Sequence, residues 1–256
     1  MSHPTPYPDV NDVLDLLLSS VQTTLGDHFV GMYLYGSLAS GDFDPHRSDI
    51  DFVVVTASEL PQDRIAALET MHTRLAASGL KWAAKLEGAY VPRHAIRRHD
   101  QTPCPNFNEG RFQVSPLGSD WVIQRHVIRE HGAALLGPAP HTLIDPVAPD
   151  DLRRAIRDVL VEWWAPMLDD LAWLDGRSEY QAFAVLTMCR ALYTLHHGDI
   201  SSKPVAARWA QVTLGEPWAA VIDWALYDAQ SDRLNETLDF LRYALARSRE
   251  FETPTD

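Results

Sequence analysis

The chain has 256 residues, 46% of them hydrophobic and 22% charged, with a formal net charge of −13 and a sequence pI near 5.2. That suits a globular protein of one or two domains with an ample core. The acid excess argues against a nucleic-acid binder, which needs clustered Lys and Arg, and favours a small cationic partner.

The N-terminal residues are polar and Pro-rich, and the apolar run 13–21 is broken by Asp15 and two serines, so neither a leader nor a membrane span is expected. Cys104 and Cys189 lack metal-ligand spacing, and a chain of this size needs no disulfide scaffold. A cytoplasmic monomer is the expectation. Residues 12–25 carry Val13, Leu16, Leu17, Val21 and Leu25 at helical spacing, with Asn11 as N-cap and Gly26 as stop. Residues 30–35 read as a buried strand running into a tight turn at Gly36-Ser37. A loop follows at 41–47, then a strand at 49–55. Alternation puts Asp49 and Asp51 on one face and Ile50 on the other. Two carboxylates one pleat apart, beside a Gly-Ser turn, make a site for Mg²⁺ and a nucleoside triphosphate. Hard oxygen ligands suit Mg²⁺, which keeps waters and substrate phosphates in its shell. Gly36 lets the backbone approach a phosphate, and the N–H groups after it and the Ser37 hydroxyl can donate to it.

A second amphipathic helix is predicted over 61–77 (Ile65, Leu68, Met71, Leu75), closed by Gly79. A third strand spans 85–91 with Glu87 inside it. An isolated buried charge is costly, so Glu87 either joins the two aspartates from a neighbouring strand or faces water on an edge strand. Residues 93–115 read as irregular. Their basic cluster of His94, Arg97, Arg98 and His99 either forms a solvated loop or lines a triphosphate entrance. A short helix is predicted at 119–131, with Ser119 as N-cap and Gly132 as stop. The Pro and Gly clusters of 135–147 read as a linker dividing a domain 1–147 from a domain 148–256.

From 149 onward the pattern is all helix: 151–164, 180–196, 204–213, 217–229 and 231–251, a five-helix bundle with short loops. Leu152, Ala155, Ile156, Val159, Leu160, Trp163 and Trp164 share one face, and the Trp pair reads as core. Arg190 lies in an otherwise apolar helix and must find an anion, either a structural carboxylate or a ligand in a cleft. The same alternatives hold for Lys203.

Gly36-Ser37 followed by Asp49-x-Asp51 resembles the nucleotidyltransferase superfamily that includes DNA polymerase β. The longer run Tyr35-Gly36-Ser37, Pro45-His46, Ser48-Asp49-Ile50-Asp51 is similar to the streptomycin/spectinomycin adenylyltransferases. So are Leu135-x-Gly137-Pro138 with Leu143-x-Asp145-Pro146-Val147, the helix Leu186-Thr187-x-x-Arg190, and Ser202-Lys203-Pro204. The resemblance implies an α/β N-terminal nucleotidyltransferase domain, a mixed sheet with flanking helices, joined to an all-α C-terminal helical bundle. It implies Mg²⁺ on Asp49 and Asp51, and ATP as co-substrate held by Gly36, Ser37, Ser48, Arg190, Lys203 and Tyr227. Glu87 is then the general base, with a metal-ligand role left open. AMP would pass to a hydroxyl of an aminoglycoside held by Trp173, Asp175 and Glu179, giving resistance. Two departures stand out. The segment Phe107-Asn108-Glu109-Gly110-Arg111-Phe112 lacks the family's Trp, and Tyr180 stands where a family acid is placed. A different small-molecule or protein acceptor, or a non-catalytic nucleotide sensor, are the alternatives.

Overall fold

The sheet is built from Phe29–Leu34 (β1), Ile50–Thr56 (β2), Leu86–Pro92 (β3), Pro103–Asn108 (β4), Arg111–Pro116 (β5) and Ala133–Leu136 (β6), in the order β5-β4-β3-β2-β1-β6. The structure is a computed structural model and describes residues 4–251 apart from 47 and 109. Arg47, which ends the predicted 41–47 loop, and Glu109 in the Phe107–Phe112 segment therefore lie outside the described residues, as do residues 252–256. Contacts divide the chain into two compact units, Met1–Pro146 and Val147–Asp256.

In the first unit β2 and β3 run parallel, and the other strand pairings are antiparallel. A parallel pair needs a long crossover, supplied by the helix Gln62–Ala76. Alternation sorts the core into two layers. Met32, Leu34, Ile50, Phe52, Val54, Leu86 and Tyr90 pack against Pro8–Leu25 (α1) and the crossover helix. Tyr33, Val53, Val55, Ala89 and Val91 face the other way, with Ala95, Ile96, Ile128, Leu143 and Ile144. These last residues come from, or directly follow, the helices Arg93–Arg97, Asp120–His131 and Pro140–Leu143. Numbered in chain order, with the short helix Gly36–Ser40 as α2, the crossover helix is α3 and these three are α4, α5 and α6.

Several expectations change here. The first helix starts at Pro8, a residue suited to a first turn. Asn11 therefore lies inside it, buried, and is not its N-cap. Its Oδ1 accepts from the Thr5 N–H (3.1 Å) and hydroxyl (2.8 Å), and its Nδ2 donates to the Thr5 carbonyl (2.9 Å). The stretch 93–115 is ordered as α4 and the β4–β5 hairpin. Pro103, Pro105 and Pro116 mask these strands, since proline cannot donate to a ladder. Of the basic residues there, His94 and Arg97 lie on α4 and Arg98 and His99 follow it, and most stay exposed at the surface. Arg97 and Arg98 both grip Asp145, at 2.9 and 2.7 Å, and the Arg98 hydrogen bond leads in holding that carboxyl below its usual range. Buried Arg125 on α5 donates to the carbonyls of Ile96 (2.8 Å) and Arg97 (2.5 Å), tying α4 to α5. Part of the supposed linker is also structured, because β6 pairs with β1 and α6 follows it.

The second unit contains Pro149–Val159 (α7), Ser178–His197 (α8), Lys203–Leu214 (α9), Trp218–Tyr227 (α10) and Leu234–Ser248 (α11). Helix α7 does not run on regularly to Trp164. Leu160–Trp164 is a π turn, closed by Ala165 N–H donating to the Leu160 carbonyl at 2.9 Å. The wider turn changes the helical phase. Trp164 is buried at 4% exposure, whereas Trp163, expected in the core, is 62% exposed. Two short 3₁₀ turns, Pro166–Leu168 and Leu171–Trp173, follow before α8.

His72 on α3 is 1% exposed, stacks on Phe107 at 4.2 Å, and places Nε2 2.7 Å from the Tyr90 hydroxyl. Burial lowers its pKa from 6.5 to about 4. A depressed folded pKa gives stability that is present above pH 6.5 and lost as pH falls through about 4. The full loss is on the order of 3 kcal/mol. In urea titrations at pH 7 and pH 4.5, His72→Phe should show a shallower acid dependence than the parent chain, despite lower stability at pH 7. Equal acid slopes would remove His72 from the acid response.

Candidate active site

The parallel register sets Ile50 beside Leu86, Asp51 beside Glu87 and Phe52 beside Gly88. Ile50 and Leu86 belong to the α1–α3 core, so Asp51 and Glu87 point to the opposite face, where both are half-buried. Strand β3 lies between β2 and β4, so Glu87 is not on an edge. Like charges directly opposite each other on a sheet repel, and this juxtaposition favours a cation.

One row earlier the pattern repeats with opposite sign. Asp49 lies just ahead of β2 and Lys85 just ahead of β3, and Lys85 Nζ sits 3.1 Å from Asp49 Oδ1. The turn before these residues is shaped by Gly36. Its φ is +65°, and a Cβ there would stand 2.0 Å from Asp51 Oδ2. Only glycine allows both that backbone and that approach. The Tyr35 N–H donates to the Asp51 carbonyl at 3.2 Å, fixing the end of β1 against β2. The expected tight turn is in fact the start of α2, with Ser37 in its first turn. The helix closes at Gly41 (φ +80°), whose N–H donates to the Ser37 carbonyl. Ser48 shapes the loop that delivers Asp49: its hydroxyl accepts from the Asp44 N–H (3.0 Å) and its N–H donates to the Asp44 carbonyl (2.8 Å).

Two further residues enter the neighbourhood. The buried Tyr35 hydroxyl has its pKa raised well above 10, first by desolvation and then by the charges of Asp51, Glu87 and Asp120. Asp120 opens α5 and keeps an exposed edge, yet the protein around it desolvates its carboxyl and raises it above the usual range. With Ser119 taken as a cap, Asp120 reads as an ordinary first-turn acid. Its charge at Tyr35 follows from the packing of α5, which sequence spacing does not show.

The donor set suits a hard cation: carboxylate oxygens of Asp49, Asp51 and Glu87, with an ammonium already on one of them. Among the described residues no three acidic, His or Cys side chains converge into a ready-made metal cage. Mg²⁺ is ordinarily held by one or two carboxylates and completed by waters and phosphates.

In the second unit, Arg190 on α8 donates from Nε to the Ser201 carbonyl at 3.1 Å. Lys203, the first residue of α9, places Nζ 4.9 Å from the Phe183 ring centroid. Phe183 and Arg190 are seven residues apart on α8, hence on one helix face, so the two cations share a corner of this unit. Trp173 is engaged in packing. Its indole donates to the Met167 carbonyl at 3.0 Å and its ring meets Trp164 edge-on at 5.6 Å. Asp175 and Glu179 are exposed on either side of the start of α8, and Tyr227 ends α10 at 68% exposure. Beside them the Arg177 guanidinium stacks 3.8 Å above the Tyr180 ring.

Comparison with known proteins follows both units. Residues 17–100 match the model of the nucleotidyltransferase domain, and residues 142–248 match that of the aminoglycoside adenylyltransferase C-terminal domain. An aminoglycoside (3'')(9) adenylyltransferase of Shigella flexneri is 30% identical over 247 residues, covering 91% of each chain. The chain belongs to the aminoglycoside adenylyltransferase family. It is a nucleotidyltransferase, as the Gly-Ser and Asp-x-Asp spacing implied. A spectinomycin 9-adenylyltransferase of Staphylococcus aureus is 28% identical over 220 residues, covering 81% of this chain and 80% of that one. The fold matches the crystal structure of a spectinomycin adenyltransferase of Enterococcus faecalis solved with ATP and spectinomycin. That match has a TM-score of 0.74 at 19% identity, over 93% of this chain and 98% of the other.

Gly41 provides a control for Gly36. Both have positive φ, but a Cβ on Gly41 meets nothing within 4 Å. Gly41→Ala should carry only the left-handed backbone cost of about 1–2 kcal/mol. Gly36→Ala should exceed it measurably in urea titrations, because Asp51 must also move. Equal losses would mean that Asp51 is not held against Gly36.

Proposed function

We propose that this protein transfers AMP from Mg²⁺–ATP to a hydroxyl of a small polycationic aminoglycoside of the streptomycin/spectinomycin kind, and so inactivates it. The observation that carries the reading is the row Asp51–Glu87 beside Gly36, in a chain similar along both units to adenylyltransferases. Asp49 and Asp51 would hold the metal, which when bound neutralises phosphate charge. Gly36, Ser37 and Ser48 shape the loop beside the triphosphate, and Arg190 and Lys203 are the proposed phosphate cations, with Tyr227 a further nucleotide contact. Glu87 takes the proton of the acceptor hydroxyl as its oxygen bonds the α-phosphorus. The bond from that phosphorus to the departing pyrophosphate then breaks. Positioning and charge neutralisation supply most of the rate in such transfers, and the base a smaller share. Trp173, Asp175 and Glu179 are proposed on the acceptor side, where carboxylates and the net charge of −13 suit a polycation.

A second reading keeps the chemistry and changes the acceptor. It is favoured by the Arg177–Tyr180 stack, which puts a cation and a ring where a carboxylate would otherwise meet an ammonium group.

Glu87→Gln keeps the shape but cannot take a proton. Calorimetry should show Mg²⁺–ATP affinity held while pyrophosphate release falls by roughly two to four orders of magnitude. A joint loss of nucleotide affinity and rate would make Glu87 a metal ligand instead. Asp49→Asn or Asp51→Asn should abolish transfer in a chain that still folds, and Arg190→Ala should weaken ATP binding. A host strain carrying the gene, challenged with a panel of aminoglycosides alongside pyrophosphate release, tests the acceptor. No protection against any of them, with pyrophosphate release intact on another hydroxyl compound, would select the second reading.

A further inference from the structure

Just before the parallel ladder that sets Asp51 beside Glu87 begins, an ion pair joins Asp49 and Lys85, and there the chain supplies its own cation. Lys85-x-Glu87 on one chain segment has the same spacing as Asp49-x-Asp51 on the other. The ammonium takes one oxygen of a carboxylate assigned above to the metal, and both side chains are partly open to solvent, at 53% for Lys85 and 38% for Asp49.

We propose that Lys85 is a positioning residue that guards the metal position. It holds Asp49 while no metal is bound, competes with a divalent ion for that carboxylate, and turns to phosphate when metal and nucleotide arrive together. The inference rests on Asp49 being a metal residue.

Three physical points support it. An ammonium 3.1 Å from Asp49 Oδ1 and a divalent ion on the same carboxylate are two like charges within a few ångströms, so the ion must displace the ammonium or bind more weakly beside it. A partly exposed pair is weak, and a lysine head on a four-carbon stem swings easily, so displacement is cheap. What the ammonium gains on leaving differs with the incoming species. A bare ion offers it no new anion, whereas a metal–triphosphate complex brings several phosphate oxygens to the same place. Lys85 therefore penalises the bare ion and not the complex, and the metal enters with its nucleotide.

The test measures binding without turnover. Mn²⁺ replaces Mg²⁺, and its affinity is read by electron paramagnetic resonance on the full chain, alone and as the complex with α,β-methylene-ATP, which cannot transfer AMP. Lys85→Met and Lys85→Gln, two replacements at a half-exposed position, should bind bare Mn²⁺ about threefold to tenfold tighter than the parent. The same variants should bind the Mn²⁺–nucleotide complex equally well or more weakly. That divergence is the signature, because a merely structural lysine would move both affinities the same way or neither. Unchanged or weaker bare-ion binding in both variants overturns the proposal, as does tighter binding of both species. Asp49→Asn separates the two layers: it should weaken bare Mn²⁺ binding. If it does not, the metal assignment of Asp49 fails and the guard with it. If Asp49→Asn weakens binding while the Lys85 variants match the parent, only the role of Lys85 is lost.

Discussion

Two acids placed face to face on adjacent parallel strands are the constraint around which the N-terminal unit is arranged. Asp51 and Glu87 are ladder neighbours because Ile50 and Leu86 are. Those two in turn are fully buried among the apolar residues of α1 and α3. A slip of one residue would turn every side chain of a strand to the other face, moving Glu87 into the α1–α3 core and Leu86 toward the acids. The hydrophobic layer thus enforces a charge arrangement that is unfavourable by itself. Gly36 reinforces it from the side by leaving room for one carboxylate oxygen and no more.

The second layer of helices acts on the same point from the open face. Arg125 and Arg129 carry hydrogen bonds from α5 to carbonyls of α4, α6 and the residue after α6, so α5 is held at both neighbours. Its first residue, Asp120, adds a further negative charge at the Tyr35 hydroxyl. A neighbourhood with this many acids, one of them already paired with a lysine ammonium, has the charge that suits a cation. The adenylyl-transfer reading draws on this property more than on any single residue.

What could be read from sequence was local. The Gly-Ser and Asp-x-Asp elements depend on a φ-permissive residue and a period of two, both visible in a short window, and α1, α3 and the five long helices of the second unit announce themselves by spacing. What escaped depended on partners distant in sequence or on broken rules. Three prolines hid the β4–β5 hairpin, and Gly137-Pro138 drew attention away from β6, which precedes them. Asn11 looked like a cap because its partner Thr5 lies across a turn before the helix. Lys85 drew no reading of its own beyond the start of a strand, because its ion pair with Asp49 joins segments far apart in sequence. The residues proposed for the acceptor were the least legible, since Trp173 packs on Trp164 and Asp175 and Glu179 lie exposed around a turn that periodicity does not describe.

The π turn at Leu160–Trp164 can be viewed as a residue more than a regular helix would hold. Each residue of an α-helix advances the side-chain direction by about 100°, so the extra one decides which of two adjacent indoles is sheltered. Trp164 goes to the interior, where it meets Trp173 and Phe183, and Trp163 goes to water. A relative one residue shorter just ahead of the tryptophans could hold a regular helix here and still turn the residue matching Trp164 inward. Length variation at this turn would then be absorbed on the outer surface, leaving the buried indole and the segments on either side in their own registers.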